Sequence, residues 1–262
     1  YASQSCTALE TATLNNSFAS NYMFSGCINL RTVTFSDTFT KIGSHAFQNC
    51  KGLTKVDIIS EVFNSIGDYA FQNVTSLSNV VIPNSTKSIG EGAFNGCTEL
   101  TSLTIPFIGN KLFDTSIAPS SKTVFGYIFG TVENELSTKV VSFYSTKDSF
   151  TSYIPNSLVN LFIQKETVVQ YGAFYNATPI KNIVLSNDCV EIQSYAFYNA
   201  TGLNNLSIPS SVEVFGDYIA AKCTGLLEVN VNSRNIGAYM FLNATSLEKA
   251  TLLNVVDIKD YA

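Results

Sequence analysis

Short alternations of apolar and polar side chains recur along this chain at a nearly constant distance. Leu100, Leu103 and Ile105 are spaced L-x-x-L-x-I, and the last three positions alternate as a short strand does. Leu103 and Ile105 fall on one face, Ser102 and Thr104 on the other. Pro106 ends that strand because it has no amide to give to a ladder. The same inward pair returns as Ala12/Leu14, Val33/Phe35, Val56/Ile58, Val80/Ile82, Leu161/Ile163, Ile183/Leu185, Leu206/Ile208, Val229/Val231 and Ala250/Leu252. Nearly all are β-branched or Leu, as a parallel strand buried on one side requires.

A second pattern precedes each strand. An Ile-Gly pair (42–43, 66–67, 89–90 and 236–237) leads to a polar residue such as Ser44, Asp68, Glu91, Ser194 or Asp217, and then to Ala-Phe. Glycine suits a sharp turn, and Ser or Asp suits the N-cap of a short helical turn that carries Ala-Phe inward. Phe24, Phe47, Phe71, Phe94, Phe174, Phe197 and Phe241 are therefore expected to form an internal phenylalanine stack. Ala220 interrupts it: either Tyr218 and Ile219 fill the space, or the coil is thin there. Ala46, Ala70 and Ala93 set the period at roughly 23 residues. A period in the 20s marks a solenoid, whose coils cannot bury their apolar side alone. About ten coils stacked at ~4.8 Å would span roughly 45–50 Å.

The rhythm lapses once. Leu103 and Leu161 are equivalent strand positions lying 58 residues apart, so about 107–153 is an insertion. Its runs FIGNKLFDTS, KTVFGYIFGT and KVVSFYSTKDSF are aromatic and β-capable, which predicts an ordered hairpin or distorted long coils. Phe125, Tyr127 and Phe129 alternate around Gly126 and Ile128, either as core contacts on the solenoid flank or as a binding protrusion. Residues 1–262 otherwise read as a single repeat domain cut within repeats. Cys6-Thr-Ala-Leu9 matches Cys27-Ile-Asn-Leu30, and Lys259-Asp-Tyr-Ala262 stops before the expected Phe. An export signal or anchor is accordingly expected outside this stretch.

Two segments, IGEGAFNGCTELTSLTIP (89–106) and AFYNATGLNNLSIPSSVEVFG (196–216), carry a resemblance. They are similar to the BspA-like branch of the leucine-rich repeats, whose pattern runs I-G-x-x-A-F-x-x-C-x-x-L-x-x-V-x-I-P-x-S-V. The resemblance covers roughly 200 residues, all but the insertion. It implies an α/β repeat solenoid: a right-handed superhelix with a parallel sheet on one face and turns or short helical turns on the other. Members occur on surface and secreted proteins of bacteria and some protists, and known roles are adhesion to host proteins or other cells. The resemblance implies an extracellular module without catalytic residues, cofactor or metal, and a protein ligand that it does not name.

Composition narrows the alternatives. A net charge of −5 with 13% charged residues offers no basic stripe for nucleic acid. No run approaches the length of a membrane span. Cys6, Cys27, Cys50, Cys97 and Cys223 share a phase that holds Val74, Ala177, Ala200 or Ala244 elsewhere, so they read as buried free thiols in small apolar sites. Inter-coil disulfides are the lesser reading, because side chains parallel in a ladder are poorly aimed at one another. Cys189 is off-phase. His45, the single histidine, occupies the x of G-S-x-A-F and is expected to face solvent. Asp57 and Glu228 lie several coils apart, too far for paired-carboxylate hydrolysis. Sequons occur at Asn15, Asn73, Asn84, Asn176, Asn199, Asn205 and Asn243, and four of them share the phase F-x-N-x-T, which turn geometry explains.

The outward strand positions give the candidate binding face: Lys55, Asp57, Asn79, Val81, Ser102, Thr104, Asn160, Phe162, Asn182, Val184, Asn205, Ser207, Glu228 and Asn230. It is mostly uncharged and polar. Phe162 and Val184 are its apolar members on adjacent coils, either covered by the insertion or exposed as an anchor. A passive stalk displaying other domains is the competing reading, and a carbohydrate-binding domain a weaker one because the chain lacks Trp.

Overall fold

The computed structural model describes residues 4–112 and 118–262. Residues 113–117, inside FIGNKLFDTS, lie outside the described residues. The chain forms two compact units: Tyr1–Pro106 with Tyr127–Lys139 and Ser152–Leu158, and Phe107–Gly126 with Val140–Thr151 and Val159–Ala262. Both are built as parallel-sheet β-solenoids.

In the first unit the predicted strands are Thr11–Leu14, Thr32–Phe35, Lys55–Asp57, Asn79–Val81 and Ser102–Ile105. Val56, Val80 and Leu103 face one another in register and are fully or almost fully buried. In the second unit the strands are Asn160–Ile163, Asn182–Val184, Asn205–Ile208, Glu228–Asn232 and Lys249–Leu253. Leu161, Ile183, Leu206 and Val229 form the equivalent buried row. That row ends at Ala250, which is exposed, as is Leu252, although both were expected inside. Lys249–Leu253 is the edge strand of its sheet, paired with Glu228–Asn232.

The opposite wall is not helical. It consists of two-residue parallel strands (Phe18–Ala19, Lys41–Ile42, Ser65–Ile66 and Ser88–Ile89 in the first unit) followed by turns. The physical reason lies in where the amides point. The Phe24, Phe47 and Phe71 amides each donate at 2.8 Å to the Ala46, Ala70 and Ala93 carbonyls of the next coil. An α-helical turn needs those amides for its own coil. The expected N-caps are corrected in the same way. Asp68 accepts from the Glu91 amide (2.8 Å), Asn21 from Ser44 (2.9 Å) and Ser194 from Asp217 (3.0 Å), so each polar residue caps the coil above rather than its own. The Ile-Gly glycine answers the same crowding. A Cβ on Gly67 would sit 2.4 Å from the Ser44 amide nitrogen, so close approach, not a turn, selects it.

The phenylalanine column is present. Phe24, Phe47, Phe71 and Phe94 stack at 5.3, 5.4 and 5.5 Å, their planes within 11° of parallel. Phe174 and Phe197 stack at 5.3 Å in the second unit. Phe241, expected in the column, is only half-buried, and Met240 is buried beside it. At the interruption Ile219 is buried next to Ala220, and Tyr218 turns outward.

The insertion is largely core. Phe107, Ile108, Val124, Phe125, Ile128, Phe129 and Val140 are buried. FGYIF is a 3-10 helix over Phe125–Phe129 rather than the β-capable run its alternation suggested. Phe125 donates to the Ala173 carbonyl (3.1 Å) and packs on Phe174 at 5.2 Å, continuing the column of the second unit. The buried carboxylate of Glu166 accepts from the amides of Ile108 (2.9 Å) and Thr167 (3.3 Å), which fixes the start of the insertion. Strands Ser137–Phe143 and Ser149–Pro155 form the expected hairpin.

Candidate interaction face

The strand residues predicted to point outward do so in both units. In the first, Lys55, Asn79 and Ser102 form one row, and Asp57, Val81 and Thr104 the other. Lys55 and Asp57 pair at 3.0 Å while both stay more than half exposed, a contact that neutralises charge and adds little stability. Val81 is half-buried.

In the second unit Asn160, Asn182, Asn205 and Glu228 form one row. Asn182 donates to Asn160 at 2.9 Å, and Glu228 accepts from Lys249 at 2.5 Å. Phe162, Val184, Ser207 and Asn230 form the second row, with Phe162 and Val184 directly in register. Phe162 is 39% exposed and Val184 48% exposed, so the insertion does not cover them. Asp57 and Glu228, the carboxylates weighed for hydrolysis, each hold a lysine on their own sheet.

Residues 1–119 and 143–262 match the BspA type leucine-rich repeat region, in six copies. The chain belongs to the BspA-type leucine-rich repeat family. Among solved structures it is similar to a leucine-rich repeat protein of T. pallidum, at 18% identity and a TM-score of 0.36 over 91% of this chain and 78% of that one. A leucine-rich repeat protein from Bacteroides ovatus gives 19%, 0.35, 95% and 80%. The pneumococcal vaccine antigen PcpA gives 19%, 0.36, 96% and 68%. No curated protein matches the chain.

On the turn wall of this BspA-type chain lie rows that sequence reasoning missed. His45 is half-buried rather than solvent-facing, stacked between Tyr22 (4.6 Å) and Tyr69 (5.3 Å). In the second unit Tyr195, Tyr218, Tyr239 and Tyr261 continue the same phase as one column. Burial, and after it the neighbouring phenols, push Tyr171, Tyr175 and Tyr218 above the ordinary phenol value. A ladder of amides runs beside the first of these rows: Gln48 donates to Gln72 (2.6 Å), Gln72 to Asn95 (3.4 Å), and Asn95 to the Phe129 carbonyl (2.8 Å). The signal was available. Tyrosine recurs just before the Ala-Phe phase, at Tyr69, Tyr195, Tyr218, Tyr239 and Tyr261, but one coil read alone does not show that the rings meet. The F-x-N-x-T asparagines sit at φ 57, 60, 56 and 60, a left-handed turn position.

The thiols divide by depth. Cys6 is exposed, against expectation, while Cys27, Cys50, Cys97, Cys223 and the off-phase Cys189 are buried thiols. Cys50, Cys97 and Cys223 donate to the Phe24, Phe71 and Phe197 carbonyls of the coil below at 3.0–3.2 Å. Burial pushes Cys50 up to about 12 from 9.0, with Cys27 adding to it; burial likewise raises Cys223 to about 12 and Cys189 to about 11. Unfolding exposes thiols that ionise near 9.0, so this contribution to stability is complete below that pH and lost as pH rises toward about 12. Urea midpoints should therefore fall between pH 9 and 11, and fall less in Cys50→Ala/Cys223→Ala. At pH 8 a disulfide reagent should titrate Cys6 quickly and the five buried thiols only on unfolding.

Proposed function

We propose that this chain is a non-enzymatic module, displayed outside the cell, that binds protein through its sheet face and serves adhesion to host or neighbouring cells. One observation carries the reading: Phe162 and Val184 stand exposed and in register within a face whose other members there are uncharged and polar. An aromatic beside an apolar neighbour, rimmed by hydrogen-bonding side chains, is the composition of an interface hot spot. The amides of Asn160, Asn182 and Asn205 supply directional donors and acceptors around it. The family's occurrence on surface and secreted proteins supports the location. Scarce charge in this region favours a partner contacted by apolar and amide groups, so binding should change little with ionic strength.

Fluorescently labelled chain, applied to cultured epithelial cells, should bind saturably and lose its sites when the cells are shaved with protease. Phe162→Ser/Val184→Ser should weaken binding about 30-fold, the loss expected of a hot spot worth about 2 kcal/mol. Its stability should fall by no more than about 1–2 kcal/mol, as for other part-exposed side chains, leaving the variant folded under the binding conditions. Equal binding by the double variant, or none by the parent, would favour the passive stalk. Sites that survive the protease and vanish with glycosidase would favour a carbohydrate ligand.

A further inference from the structure

Four tyrosines on the turn wall of the second unit stand as a column of parallel rings. Tyr195, Tyr218, Tyr239 and Tyr261 have centroids 5.2, 4.7 and 5.0 Å apart, with planes inclined by 6°, 4° and 8°. Each occupies the left-handed position of its coil, at φ 61, 58, 53 and 57. At this phase the conformation recurs in each coil and aims the Cβ of each residue the same way, so the coil repeat itself places the rings face to face. The column is not sealed: Tyr195, Tyr218 and Tyr239 are half-buried and Tyr261 is 74% exposed.

Van der Waals stacking of two phenols, open at their edges, is a prepared geometry for radical coupling. We propose that this column is a site of oxidative cross-linking, in which hydrogen peroxide acting through a haem peroxidase joins neighbouring coils by dityrosine bonds. Two neighbouring phenols each give up one electron and one proton, leaving two neutral phenoxyl radicals. These join by a carbon–carbon bond between ring positions ortho to the hydroxyls. The ortho protons then move to the oxygens and restore both phenols. The peroxide takes up the two electrons and two protons and leaves as two waters, so the chain loses two hydrogens per link.

The rest of the molecule supplies contrasts. In the first unit the same phase reads Tyr22, His45, Tyr69, Gly92, so no two tyrosines of that phase are neighbours there. Tyr171 and Tyr198 also touch Tyr195, but at 50° and 60°, without the parallel overlap of the column; Tyr175 and Tyr198 stack at 4.8 Å with planes inclined by 26°, a separate pair that joins no column. The buried thiols offer no alternative fastening, because their bound protons and depth keep them from an oxidant. A bond across the column would tie successive coils on the outer wall, where only hydrogen bonds and stacking otherwise hold them.

The test treats the folded 262-residue chain with horseradish peroxidase and limiting peroxide. Expected are dityrosine fluorescence, a monomeric band, a mass lower by two hydrogens per link, and cross-linked peptides joining 195 to 218, 218 to 239 or 239 to 261. Tyr218→Phe/Tyr261→Phe keeps the stacked rings and places a non-coupling ring beside each remaining member of the column. Links among 195, 218, 239 and 261 should fall about tenfold in that variant while any 175–198 link persists, because contact rather than encounter sets the rate. An unchanged yield in the double variant would overturn the proposal. So would products that are mainly dimers, or links confined to Tyr144, Tyr153 or the tilted pairs. A chain whose yield rises on unfolding in urea would refute it as well, since the fold is claimed to prepare the coupling. Far-ultraviolet dichroism and the urea midpoint verify that the variant is folded.

Discussion

Phe71→Ala should destabilise the first unit by about 3–5 kcal/mol, the range for removing a fully buried aromatic ring. The ring has no exposed surface and touches Phe47 at 5.4 Å and Phe94 at 5.5 Å, both within 3° of parallel. Its removal leaves a void between two planar neighbours that are held apart by coil spacing and cannot close on each other. The loss therefore includes the transfer of the ring, the cavity and two stacking contacts. Because each coil of a solenoid is stabilised by its nearest neighbours, the damage extends to the coils of Phe47 and Phe94. Urea unfolding should show the midpoint displaced. Phe71→Leu should cost about half as much, since it refills part of the volume. Phe241→Ala removes a ring that is only half-buried and should cost about 1 kcal/mol. A loss at Phe71 no larger than at Phe241 would mean that the column does not hold the coils together.

Gly172→Ala should be comparably damaging for a different reason. Gly172 has φ +60, and a Cβ there would lie 1.8 Å from the Phe143 carbonyl oxygen, backbone that no rotamer change can move. The left-handed conformation alone is tolerable: Tyr195, Tyr218 and Tyr239 adopt it in the same phase. The clash must instead push away the segment around Phe143, including Ser142, which donates to the Tyr175 carbonyl, and Val141, whose carbonyl accepts from the Asn176 amide. A cost of about 3 kcal/mol or more follows from overpacking plus backbone strain. Gly92→Ala provides the control. Its φ is +59, but its Cβ would meet the ring of Tyr69 at 2.5 Å, a side chain that can rotate away. Thermal melts should rank Gly172→Ala well below Gly92→Ala. Equal losses would show that conformational strain, not the carbonyl contact, dominates at this phase.

These two sites mark how far the sequence could be read. Phe71 was placed in its column from phase alone, because residues one period apart in a solenoid must lie above one another. The same logic located Val80 over Leu103 and set Phe162 beside Val184. Gly172 could not be interpreted that way, since its close contact comes from the hairpin, whose register the repeat does not specify. Phase also proved silent about hydrogen-bond partners. Asp68 has the chemistry of an N-cap, and its carboxylate does cap an amide, but one belonging to the coil above. His45 was read as solvent-facing because it fills an ordinary repeat position, the x of G-S-x-A-F; the rings that sandwich it arrive from the coils on either side. FGYIF alternates like a strand yet forms a 3-10 turn, because Phe125 takes the place of the repeat phenylalanine against Phe174.

By itself the sequence determined the coil, its inward residues and the outward rows of each sheet, since each depends on periodicity and on the side chain's own preferences. Only the tertiary structure decided what meets between coils: the amide of Phe71 taken by Ala93, the tyrosines brought into a column, Phe162 left open and Cys6 left outside. Those outcomes depend on which groups stacking places within a few ångströms, and a linear repeat states the order of its coils without stating what their neighbouring edges share.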